Sequence, residues 1–161
     1  MDRADGRFEE EFSYSQVMEV DGRVELSGQG GWHPETLNYP AGFPIETEVG
    51  RAFDNVDFML KAVGLDWFHV AHVDSYHVPE ANGQILAATA EVVRQFRLRM
   101  PNHKPIWTSL GVLLGDPGMR VEVRVTAFRE LRPPIGCAVA KPKIQGHLGS
   151  LNFRRVGSDD D

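Results

Sequence analysis

Two stretches with apolar residues at three-and-four spacing constrain this 161-residue chain more than any other feature. Val49, Ala52, Phe53, Val56, Met59, Leu60 and Val63 fall on one face of a helix predicted over 45–63, and Gly64 is placed to end it. Ile85, Ala88, Thr89, Val92, Val93, Phe96 and Met100 repeat the pattern, and Pro101 closes that second helix. A helix with a single apolar stripe must bury it against another layer. The segments around these two helices have the character of strands.

Residues 12–20 and 23–29 read as strands joined by Asp21-Gly22, a strong two-residue hairpin signal. Residues 67–78, 106–114 and 119–128 read as three more, the last two joined through Gly115-Asp116-Pro117-Gly118. The expected order is β-β-α-β-α-β-β, a two-layer α+β domain with both helices on one sheet face. The other face is expected to be largely apolar or aromatic, and no third layer remains in the chain to cover it. A partner subunit is the economical cover. Residues 1–11 read as a loose polar arm, 12–130 as the domain, and 131–161 as an extension without period, ending in three aspartates.

The net charge of −6 argues against a polyphosphate partner, whose binding is driven by counterion release around a basic surface. The lone Cys137 excludes an intrachain disulfide, and no apolar run approaches the length of a membrane span. With no secretory leader in view, the cytoplasm is the expected compartment. The six histidines do not form a metal set: His69 and His72 are an odd number apart on one predicted strand, and no cysteine or carboxylate pair completes a site. No metal or other cofactor is expected. Gly28, Gly30 and Gly31 precede a proline-containing loop rather than a helix, so they are no dinucleotide fingerprint.

Several motifs occur in a telling order. Tyr14-Ser15-Gln16 is followed by a strand ending Ser27-Gly28-Gln29, then by Ala52-Phe53-Asp54-Asn55-Val56 on the first helix, and last by Val121-Glu122-Val123-Arg124-Val125-Thr126-Ala127. Together, over about residues 12–128, these resemble the YjgF/Rid family, also known under the older label endoribonuclease L-PSP. The resemblance implies a chorismate-mutase-like (YjgF) fold and a homotrimer with its sheets packed at the centre. It also implies a small-molecule cleft at each subunit interface, where reactive enamines and imines are hydrolysed to ammonia and a 2-keto acid. In that chemistry an arginine fork grips the substrate carboxylate, and a carboxylate or carbonyl positions water.

One departure matters. The family pattern P-x-R-[ST]-x-V corresponds here to Pro105-Ile106-Trp107-Thr108-Ser109-Leu110, with Glu122 fifteen positions after Trp107. Trp107 therefore stands in the arginine's place while Glu122 is kept, and a neutral indole cannot replace a guanidinium. The resemblance assigns Glu122 and Tyr14 as catalytic residues, and Trp107, Thr108, Ser109, Ser27 and Gly28 as binding residues; Trp32, just after the glycine turn, and Arg124, on Glu122's strand face, are further binding candidates. Trp107 is a ligand-stacking wall or simple interface packing. Arg120 and Arg124, two positions either side of Glu122, are candidate replacement cations or members of an inert charge ladder. The expected function is action on an imine, enamine or related metabolite other than the standard small 2-imino acid. The alternatives are a non-catalytic binding trimer and, more weakly, a ribonuclease.

Overall fold

The computed structural model describes residues 10, 12–39 and 42–130. The chain divides into a unit of residues 1–131 and a second of 132–161. The expected extension, like most of the expected N-terminal arm, lies outside the described residues. Six strands form one sheet: β1 (Val17–Val20), β2 (Arg23–Leu26), β3 (Gln29–Gly30), β4 (Val70–His77), β5 (Ile106–Gly111) and β6 (Val121–Phe128). Two helices, α1 (Ile45–Ala62) and α2 (Leu86–Arg99), cover one face. The strand order is β1-β2-β6-β4-β5, with β3 paired to β6; β4 and β5 run parallel and the other pairs antiparallel. The predicted α+β order is present, with the second strand split in two.

The core lies between helices and sheet. Val24 and Leu26 of β2, Val70 and Val73 of β4, and Val121, Val123, Val125 and Ala127 of β6 meet Val49, Phe53, Val56 and Leu60 of α1. Phe53 stacks on Trp67 at 5.2 Å between ring centroids and meets Phe96 edge-on at 5.9 Å. Burying a side chain of this size contributes about 1.5–3 kcal/mol. Helix α1 ends in a Schellman motif: Gly64 takes φ 73°, and the Leu65 and Gly64 N–H groups return to Leu60 O (2.9 Å) and Lys61 O (3.1 Å). A leucine side chain would strain that left-handed position.

The structure revises several expectations. Residues 12–16 are not strand, because Ser13 takes φ 55° and interrupts the extended run. Residues 67–69 form a 3-10 turn instead of strand. Asp66 caps it by accepting the Phe68 N–H (2.9 Å), and His69 Nδ1 receives the Asp66 N–H (3.2 Å). His69 is thus not in strand alternation with His72. The inward face of α2 carries buried Glu91 and Gln95 beside its apolar residues, and Leu86 is exposed. The open sheet face is mixed, not largely apolar. Its middle is a charged network: Arg124 Nη2 donates to Glu25 Oε2 (3.1 Å) and Nη1 lies 3.7 Å from Asp74 Oδ2, while His72 Nε2 lies 3.2 Å from Asp74 Oδ1. Exposed Met18 and Val20 on β1 and Ile106 and Leu110 on β5 form its apolar margins. Among the described residues no helix is long and apolar enough to cross a membrane.

Candidate functional site

The turn from β2 into β3 builds the site. Glu25 pairs with Thr126 and Gln29 with Val123, so Leu26, Ser27 and Gly28 stand opposite only Arg124 and Val125. The extra residue is a bulge, a device that re-aims side chains where a ladder is interrupted. It brings the Gly28 backbone against the Glu122 carboxylate. A Cβ on Gly28 would lie 1.9 Å from Glu122 Oε1, so the carboxylate occupies the space that only a glycine leaves open. Glu122 is half-buried, and burial raises its pKa above the ordinary carboxylate range.

Tyr14 reaches the same place from the segment before β1. Ser27 holds that segment: its N–H donates to Gln16 O (2.9 Å) and its hydroxyl to Ser15 O (2.7 Å). Gln16 Nε2 donates to the Tyr14 hydroxyl (2.8 Å), and buried Gln29 Nε2 donates to Gln16 Oε1 (2.8 Å) and Ser27 O (3.0 Å). The phenol is therefore fixed in direction. Burial raises the Tyr14 pKa, the Gln16 bond lowers it, and nearby Glu122 raises it further, so the net shift is upward and the hydroxyl stays protonated.

The remaining wall comes from the 31–39 loop. Asn55 on α1 donates through Nδ2 to Gly30 O (2.8 Å) and Trp32 O (3.2 Å), anchoring the loop to the helix. Trp32 meets Tyr39 edge-on at 6.1 Å. Together Tyr14, Ser27, Gly28, Trp32, Tyr39 and Glu122 border a cleft of about 750 Å³, with Phe12, Leu37, Gly115, Asp116 and Met119 at its margins. Its polar groups can hold a ligand and relay a proton or water through Glu122. Among the described residues no group of three or more His, Cys, Asp or Glu side chains could hold a metal ion.

Five of the residues nominated from sequence thus converge: Tyr14, Ser27, Gly28, Trp32 and Glu122. Arg124 lines the adjoining groove with Tyr14 and Ser27 but is paired to Glu25 and Asp74. Arg120 is not part of a same-face ladder. It precedes β6, where its N–H and Nε donate to the buried Glu48 carboxylate (both 2.7 Å) and Nη2 to Phe43 O (2.8 Å). Trp107, Thr108 and Ser109 lie on the edge strand β5, two strand spacings or about 10 Å from β6. Trp107 faces the helix layer, edge-on to Phe96 at 5.3 Å, and its Nε1 donates to Ser75 Oγ (2.9 Å). Ser109 shares that face, while Thr108 is on the open one. Within one chain this trio does not meet Glu122. Sequence reasoning missed Tyr39 and Asp116, which sit in segments read only as loop. Their one signal was Gly118, which carries no side chain because Tyr39 packs there: an added Cβ would be 2.9 Å from Tyr39 Cβ.

Fold and cleft define an α+β protein, and comparison with known proteins gives its family. Residues 6–129 match the family model described as Endoribonuclease L-PSP. The chain belongs to this family, the YjgF/RidA-like proteins. A RutC family protein from Aquifex aeolicus (strain VF5) is 40% identical over 63 residues, 39% of this chain; the match spans about half, 49%, of that relative's length. Among solved structures, the YjgF gene product of E. coli has a TM-score of 0.62 at 20% identity, covering 73% of this chain and 88% of that one. E. coli TdcF with bound serine gives 0.62 at 22%, covering 73% and 88%. RidA from the Antarctic bacterium Psychrobacter sp. PAMC 21119 gives 0.61 at 23%, covering 72% and 88%. At such identities the structural likeness establishes the fold.

Proposed function

We propose that the protein hydrolyses a reactive imine or enamine in the cleft beside Glu122, and that its substrate is not the standard small 2-imino acid. The observation that carries this reading is the Glu122 carboxylate held against Gly28, next to the hydroxyl of Tyr14. A carboxylate with a raised pKa is suited to taking a proton from water and returning it. As water adds to an iminium carbon, Glu122 takes one of its protons and a carbinolamine forms. Glu122-H then protonates the nitrogen, the C–N bond breaks to release ammonia, and the regenerated Glu122 carboxylate takes the carbinol proton as the C=O bond forms; ammonia takes up that proton in water. The sum is iminium plus water giving carbonyl compound plus ammonium. Tyr14 orients the substrate as a hydrogen-bond donor.

The cleft is taken to be completed by neighbouring subunits in a homotrimer, as the family resemblance implies, and the exposed margins Ile106, Leu110, Met18 and Val20 give that assembly an apolar contact. A small ligand there suits a family in which TdcF is described with bound serine. The endoribonuclease description fits poorly with a net charge of −6. A second reading, a non-catalytic binding trimer, is favoured by Trp107 alone, because that residue packs into the helix layer instead of supplying an anchoring charge.

Glu122→Gln separates the two. Ammonia release is measured over a panel of imines generated in situ from amino acids and from simple amines. On the catalytic reading the wild type accelerates at least one member, and the variant loses about 100-fold or more of that acceleration. No acceleration with any member, together with unchanged ligand binding by the variant, sinks the catalytic reading.

A further inference from the structure

Trp107 lies away from the Glu122 cleft but borders a groove of its own. The groove, of about 490 Å³, runs between the last turns of α2 and the residues leading into β5. Buried Met100 and half-buried Phe96 and Trp107 form its floor, and exposed Arg97 and Lys104 stand on its rim with His103. Trp107 meets Phe96 edge-on at 5.3 Å, and its one donor, Nε1, is spent on Ser75 Oγ at 2.9 Å. The indole therefore shows the groove only ring surface, which suits an apolar body. His103 Nε2 donates to Val70 O (2.9 Å) and ties the turn that carries Lys104 to the start of β4.

The rim cations differ from those elsewhere on the domain. The other described arginines and lysines, Arg51 apart, each pair with a carboxylate, and Arg51 lies over the Phe43 ring. Arg97 and Lys104 have no such partner among the described residues. Either can meet an anion without leaving a carboxylate stranded. The groove opens on the helix side of β5, whereas Ile106 and Leu110, the margins taken for the trimer contact, are on the open face.

We propose that this groove is a second ligand site, separate from the Glu122 cleft, and that it takes an apolar carboxylate. The hydrocarbon body lies on Trp107 and Phe96, and the positive rim of Arg97 and Lys104 attracts the acid group.

The test is calorimetric titration of the full chain in its native assembly at pH 7 and low salt. The probes are 3-phenylpropanoate, 3-phenylpropan-1-ol, 3-phenylpropylammonium and propanoate. The phenyl acid is expected to bind at least tenfold more tightly than the ammonium or propanoate, with the alcohol between. Arg97→Gln/Lys104→Gln, a double change at exposed positions, is expected to weaken the phenyl acid by about tenfold, the size of two exposed charge contacts, and to leave the alcohol within twofold. Glu122→Gln is expected to leave the phenyl acid within twofold. Four results overturn the proposal. The ammonium or the alcohol binds as tightly as the acid. Propanoate binds as tightly, so that the groove floor plays no part. The acid does not bind, as would follow if a neighbouring subunit's carboxylates paired the rim cations. The acid binds but loses affinity in Glu122→Gln and not in the double variant, which would put it in the cleft.

Discussion

Gly28→Ala moves the Glu122 carboxylate without disturbing the scaffold. The new Cβ would stand 1.9 Å from Glu122 Oε1, 2.3 Å from Cδ and 2.7 Å from Cγ, whereas ordinary contact begins at 3.4 Å. The carboxylate must therefore swing away by about 1.5 Å, a displacement on the scale that costs about 100-fold in rate when a reacting group is misplaced. What moves is the far end of a flexible side chain, so the stability change should stay within about 1 kcal/mol. Gly31→Ala is the matched control. Its Cβ would meet the Glu48 carbonyl oxygen at 2.4 Å and carbonyl carbon at 3.0 Å, which are backbone atoms of α1. Helix and loop must separate, at about 1–3 kcal/mol. Thermal unfolding and imine turnover, measured on both variants, separate the effects: Gly28→Ala keeps its Tm and loses activity, and Gly31→Ala loses Tm. A folded Gly28→Ala variant with kcat/KM within threefold of wild type would refute the placement of Glu122 as the acting group.

Two further outcomes concern the scaffold. His77 is fully buried with Nε2 2.9 Å from Ser75 Oγ, and burial lowers its pKa from the usual 6.5 to about 4. The unfolded chain takes up that proton first, so the stability is complete above pH 6.5 and falls as pH drops to about 4, by about 3 kcal/mol in all. Urea unfolding from pH 7 to pH 4 should show this excess loss in wild type relative to His77→Gln; parallel curves would contradict it. Asn55→Ala should cost about 2–3 kcal/mol, because it strands the Gly30 and Trp32 carbonyls, and it should raise hydrogen exchange in the 31–39 loop more than in β4. Equal exchange in both segments would remove Asn55 as the loop's anchor.

The layer architecture was legible because periodicity reports which face is buried. The α1 stripe from Val49 to Leu60 is in the core as spaced, and Asp21-Gly22 does join β1 and β2. Element ends were less legible, since they depend on local bonds such as the Asp66 cap and the positive φ of Ser13. The charged middle of the open face was hidden because Glu25, Asp74 and Arg124 meet only after three strands align. For the site, motif order led to Tyr14, Gly28 and Glu122. Spacing along the chain suggested that Trp107 belongs with them, but two strand widths and the opposite sheet face separate it from Glu122 within one protomer. Asp116 and Tyr39 were out of reach, because loops that converge in space leave no periodic trace.

On the proposed function, the cleft beside Glu122 acts on an imine other than a small 2-imino acid, with Trp107 standing where the family pattern has an arginine. Its most direct test is ammonia release from freshly generated 2-iminobutanoate, compared with a carboxylate-free imine of the same chain length at equal concentration. The kcat/KM for the carboxylate-free imine is expected to be the greater by at least tenfold, and Glu122→Gln is expected to lower it by about 100-fold or more. A faster reaction with 2-iminobutanoate would contradict it.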